Sequence, residues 1–157
     1  MKRGDRAPFF SLIAAGSGHR VSLRKTSGGT IVLILHGRGD EEAVREMNRA
    51  MREKFPEPDD PIVASVIDLS FVPPFYWVAA NMELDRAYRE AANALPPDAE
   101  PREHVVILPD WTGSTTRKYR DSERDGVSAV VIGGDSSIVG AASGEGAAES
   151  VLDMLGD

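Results

Sequence analysis

Few side chains in this chain of 157 residues could do acid–base, metal or nucleophilic chemistry, and cysteine is absent from them. Without a thiol the protein cannot run thiol–disulfide or thiol-peroxidase chemistry through its own side chains, because thiolate is the nucleophile in both. The three histidines, His19, His36 and His104, are far apart, and none lies in an H-x-x-x-H or H-E-x-x-H spacing. The best convergence on offer is His36 with Asp40 and Glu41, where a strand end meets a helix start. Those donors suit a divalent metal. A strand-end histidine followed by helix-capping carboxylates explains the same residues, so no metal ligand is assigned and no cofactor is expected.

Three other patterns carry less. No G-x-S-x-G elbow is present, which leaves a Ser-His-Asp hydrolase without a nucleophile. Gly144-Glu145-Gly146-Ala147-Ala148-Glu149 has Glu149 where a dinucleotide fingerprint needs its third glycine, and Glu145 would face the pyrophosphate. Arg38-Gly39-Asp40 spells an adhesion tripeptide, but a turn and helix cap account for it.

The elements that would position these residues follow from periodicity. Phe9 to Ala15 and Arg20 to Leu23 flank Gly16-Ser17-Gly18 and read as two short strands joined by a glycine turn. Thr30 to His36 is a continuous β-branched and leucine run, the pattern of a central strand buried on both faces. Asp40 can cap a helix with Glu41 and Glu42 in its first turn, and Val44, Met47, Met51 and Phe55 recur at helical spacing until Pro56 and Pro58. Ile62 to Leu69 predicts a second buried strand. Met82 to Leu95 predicts a helix with Leu84, Tyr88, Ala91 and Leu95 on one side, and His104 to Leu108 a third strand closed by Pro109 to Gly113. Val127 to Ile132 and Ser137 to Ala142 flank a Gly133-Gly134-Asp135-Ser136 hairpin turn, before a last helix from about Glu145 to Leu155. Strands alternating with helices predict one α/β domain over residues 1–157 with a mixed sheet.

The net charge of −7 argues against a nucleic-acid or anionic-membrane binder, which needs a basic surface to displace counterions. No apolar run approaches the roughly 20 residues of a membrane span. A basic start before Phe9 to Ala15 could mimic a signal peptide, but Asp5 and Pro8 interrupt it. The expected compartment is therefore the cytoplasm.

The opening Gly4-Asp5-Arg6-Ala7-Pro8-Phe9-Phe10-Ser11-Leu12 resembles the G-D-x-A-P-x-F-x-L start of the peroxiredoxin and redoxin branch of the thioredoxin-like fold. Arg20-Val21-Ser22-Leu23 resembles the V-S-L segment that follows in that family, and the element order agrees over nearly the whole chain. The resemblance implies a three-layer fold: a central mixed sheet, flanking helices and an N-terminal β-hairpin. It also implies an oxidoreductase, yet its catalytic segment is changed. Matching from the strand end puts Gly37 at the family's proline, Glu41 at its threonine and Val44 at its peroxidatic cysteine. A C-x-x-C would fall near Asp40 to Ala43, and the later cis-proline or arginine near Val127; none of these residues is present. In that register the side chain at Val44 should be partly accessible near the first turn. Asp40, Glu41 and Glu42 would oppose an anionic substrate or thiolate there.

The most unusual stretch is Phe71 to Val78, which holds four of the chain's ten aromatic side chains, Phe71, Phe75, Tyr76 and Trp77. Its prolines resist both strand pairing and helix. Such a segment either folds back as a lid or forms a surface for a partner or a second copy, with a small-ligand pocket as a third reading. The expectation is a cysteine-free redoxin-like protein without thiol redox activity of its own, acting as a binding or interaction protein. The competing class is an enzyme: an oxidoreductase using a partner's thiol or another cofactor, or a metal-dependent activity at the His36 turn.

Overall fold

A computed structural model describes residues 2–23, 29–37, 39–56, 61–119, 127–144 and 146–156. Arg38, Pro58 and Glu145, which the sequence assigns to a turn, a helix stop and a helix start, lie outside these residues. The N-terminal strands β1 (Ser11–Ile13) and β2 (Arg20–Ser22) pair antiparallel as a separate hairpin. Gly16 (φ +80°) and Gly18 (φ +73°) supply the left-handed backbone its turn requires.

The apolar run after it forms β3 (Ile31–His36), all six residues buried. It is followed by helix α1 (Glu41–Lys54), which buries Val44, Met47 and Met51. Strand β4 (Ile62–Asp68) lies parallel to β3. A 3-10 turn, Pro74–Tyr76, leads directly into α2 (Trp77–Asn93). Then come the short helix α3 (Pro101–His104), strand β5 (Ile107–Asp110) and helix α4 (Ser114–Tyr119). The chain closes with β6 (Ser128–Ile132), β7 (Ile138–Ser143) and α5 (Ala147–Leu155). The five-stranded sheet has the order β5-β4-β3-β6-β7, with β3 central, the β3–β4 and β4–β5 pairs parallel and the β3–β6 and β6–β7 pairs antiparallel.

Alternation along β3 sends its side chains to two cores. Leu33 and Leu35 meet Phe10, Val21 and Tyr119 from the hairpin side, while Val32 and Ile34 meet Val44, Met47 and Val151 beneath α1 and α5. The result is the expected three layers.

Several boundaries differ from the sequence expectation: β1 is shorter than Phe9 to Ala15, and the larger differences lie around α2 and β5. Helix α2 begins at Trp77, five residues before Met82. Pro74 sits at the first position of the 3-10 turn, where a missing N–H costs nothing, and its carbonyl accepts from Trp77 N. The prolines thus start a helical segment. The strand expected over His104 to Leu108 is replaced at its start by α3, for which Pro101 again supplies the first position. Strand β5 instead runs on through Pro109, tolerated because β5 is an edge strand. Helix α4 was not expected. It is held by the buried Asp110, whose Oδ2 accepts from Thr116 N at 2.7 Å and Thr116 Oγ1 at 2.8 Å.

Candidate functional site

The C-terminal end of β3 and the start of α1 bring together most of the positions that the resemblance marks. His36 is buried, on the α1 side of the sheet, with Nδ1 3.3 Å from the Gly37 carbonyl. That contact is a hydrogen bond only in the Nδ1–H tautomer. Among the described residues no three His, Asp or Glu side chains form a group that could hold a metal ion. A metal-dependent activity at the His36 turn therefore gains no geometric support.

The carboxylates do not cap α1 as expected. Asp40 has φ −99° and ψ 11°, away from the extended backbone that aims a capping side chain forward onto the helix amides. Its Oδ2 instead accepts from Gly37 N at 3.1 Å, and Glu41 Oε1 accepts from Gly39 N at 3.3 Å. Both bonds run backward and tie the turn. Hydrogen bonding from the backbone at Glu41 itself holds that carboxyl below its ordinary pKa, against opposition from partial burial; Gly39, His36 and Arg45 add to the lowering. A second anion brought to this helix start would meet a carboxylate that is already ionised.

Val44, the fourth residue of α1, is only 7 % exposed, and Val127, just before β6, only 8 %. Both belong to one apolar cluster with Ile34 and Ala129. Partial accessibility at Val44 is thus corrected: helical periodicity puts it in line with Met47 and Met51 on the buried face. On the opposite side of the sheet Ser128, paired with Leu35, buries an Oγ that has no hydrogen-bond partner among the described residues. Sequence reasoning did not single it out, because one serine in an apolar strand carries no spacing signal.

The aromatic segment divides in two. Trp77 is half-buried, its ring 5.2 Å from that of Trp111, and its Nε1 donates to the Val72 carbonyl at 3.0 Å. Trp77 thus packs back against its own chain. Phe71, Phe75 and Tyr76 stay exposed, with the Phe75 and Tyr76 rings 4.5 Å apart. No residue of α2 is fully buried. Its partly buried face runs through Trp77, Ala80, Leu84, Tyr88 and Ala91. The helix is held to the hairpin where the Tyr88 ring covers Gly16 and Asp85 Oδ1 accepts from Gly16 N at 3.1 Å.

No protein-family model and no curated protein matches the sequence, so likeness to known proteins rests on structure. A protein of Chlorobium tepidum assigned as thiol:disulfide interchange protein DsbE superposes with a TM-score of 0.66 at 16% identity, covering 98% of this chain and 95% of that one. The exposed lipoprotein thioredoxin of Streptococcus pneumoniae gives 0.64 at 16% identity, covering 95% and 98%. StoA of Bacillus subtilis gives 0.59 at 14% identity, covering 94% and 96%. At these identities the likeness is one of fold. The chain has the thioredoxin-like fold and contains no cysteine. No helix among the described residues is long and apolar enough to cross a membrane.

Proposed function

We propose that this protein is a thioredoxin-fold binding module without redox chemistry of its own, which docks a partner through the N-terminal half of α2. The observation that carries this reading is the exposure of Phe75 (78 %), Val78 (73 %) and Met82 (63 %) on the side of α2 away from its docked face. Isolated apolar side chains on a surface mean little, but a contiguous group on one helix face marks an interaction site. The packing of Val44 supports the same reading, because it fills with core the position matched to the peroxidatic cysteine, while Asp40 to Ala43, where a C-x-x-C would fall, hold no thiol. The opening motif Gly4 to Leu12 keeps kinship with the redoxin branch within the proposal.

An apolar dye such as anilinonaphthalene sulfonate tests the docking surface. Dilute folded protein should bind it saturably, and the double change Phe75→Glu with Met82→Glu should abolish most of that binding while the thermal transition stays within a few degrees. Equal dye binding by both proteins would place the docking surface elsewhere. The names of the structural neighbours favour one other reading, an oxidoreductase that borrows a thiol from a partner. It would require thiol turnover that appears only when that partner is added.

A further inference from the structure

We infer that the occupant of the α2 surface is a second copy of this chain, packed with the two α2 helices antiparallel about a two-fold axis near Val78 and Ala79. The inference deepens the proposed docking role and rests on it. At about 3.6 residues per turn, Ala79, Met82 and Arg86 of α2 fall on one line opposite the Trp77, Ala80, Leu84 and Tyr88 face, with Val78 beside it and the exposed Phe75 in the 3-10 turn just before the helix. That outward line changes character once. From Phe71 to Met82 the chain has no charged residue, whereas Glu83, Asp85, Arg86, Arg89 and Glu90 follow without a large aliphatic among the exposed positions.

A chain of net charge −7 repels its own copies, which favours contact through a face that carries no charge. The outward face from Phe71 to Met82 carries none. A parallel arrangement would set each charged half against the same charges in the other copy, including the Glu83–Arg86 pair. An antiparallel arrangement overlaps the apolar halves alone. It sets Phe75 of each copy against Met82 of the other, a favourable sulfur–aromatic contact, and brings Arg86 toward the aromatic end of the other copy, where a guanidinium over a ring is attractive. Ala79 at the axis lets the helices approach. Phe75, Tyr76, Val78 and Met82 expose roughly 500–600 Å², the upper end of what a monomer leaves open. That area suits the apolar centre of an interface of about 800 Å² per partner.

The absence of native cysteine allows a clean test. Sedimentation equilibrium of the full chain from about 1 to 200 μM should show a monomer–dimer equilibrium, and Met82→Glu should weaken it at least about tenfold. Under mild oxidation Val78→Cys should form an intermolecular disulfide readily. Asn93→Cys, exposed on the same outward line but about 40 Å from its counterpart in an antiparallel pair, should not. Cross-linking of Asn93→Cys as fast as Val78→Cys would overturn the antiparallel arrangement. A wild-type chain monomeric throughout, yet still binding dye through Phe75 and Met82, would overturn the second copy and leave the docking role standing. Loss of that dye binding would instead overturn the docking role.

Discussion

Val44 in α1 and Val127 ahead of β6 share one apolar cluster, on the face of β3 that carries His36. These are the positions that the family resemblance assigns to the peroxidatic cysteine and to the later proline or arginine. Here two buried valines and a tied-down carboxylate turn occupy that region.

If Val44 is core, a thiol placed there should be protected by the fold. Val44→Cys should react with a thiol reagent at least about a hundredfold more slowly in the native state than in urea, since reagent enters only on local opening. Stopped-flow labelling checks this. Native labelling at the rate of an exposed thiol would show that the helix start is open and that the cluster does not close it.

Much of this is legible in the sequence. The β3 run and the Val44, Met47, Met51 spacing are local signals with one physical reading, and the structure follows them. The start of α2 was hidden because Pro73-Pro74 reads as a breaker until Pro74 is seen to occupy the first position of a helical turn. The backward bonds of Asp40 and Glu41 depend on the backbone angles at Asp40, and the separation of Trp77 from Phe75 depends on Trp111, which lies far along the chain. Neither has a sequence signal. Helix α4 was missed for a similar reason: its cap, Asp110, sits four residues before the helix begins, at the end of a strand.

The hairpin should act as the anchor of α2. A methyl group added at Gly16 would stand 2.3 Å from the Tyr88 ring, and the backbone there is left-handed. Gly16→Ala should cost about 1–3 kcal/mol, and less, about 1 kcal/mol, in a Tyr88→Ala background. Urea denaturation of the four proteins measures the coupling. Full additivity would mean that Tyr88 does not rest on the turn.

Asp110 holds β5 to α4 with one carboxylate oxygen and two donors from Thr116. Asp110→Ala should destabilise by about 2–3 kcal/mol, because it leaves a buried amide and hydroxyl unpaired. Asp110→Asn keeps an acceptor and should cost less. Equal losses for both changes would show that charge rather than hydrogen bonding is at work.

Acid and alkali should act on different groups. Asp135 is held below its ordinary pKa by the hydroxyl and amide of Ser137, as Glu41 is by its backbone bonds. A depressed folded value gives stability that is present above the unfolded pKa of about 4 and is lost as pH falls through the folded value. Asp135→Asn combined with Glu41→Gln should therefore flatten the decline of stability between about pH 5 and pH 3. Burial pushes the Tyr119 phenol up, while its hydroxyl donates to the Pro8 carbonyl. Its contribution should hold below about pH 10 and fade above it, as exposure on unfolding frees the proton. Tyr119→Phe should remove that alkaline loss. Unchanged slopes in both variants would assign the pH dependence to other groups.

The most direct test of the central claim is turnover by the purified, metal-free chain in two assays: peroxide consumption with a thiol reductant and reduction of insulin disulfides. Both should show no sustained turnover above the buffer rate, at any protein concentration, because no thiol is present and the positions matched to the peroxidatic cysteine and the later proline or arginine are packed as Val44 and Val127. Repeated turnover proportional to protein concentration, in the absence of any partner or cofactor, would contradict the account.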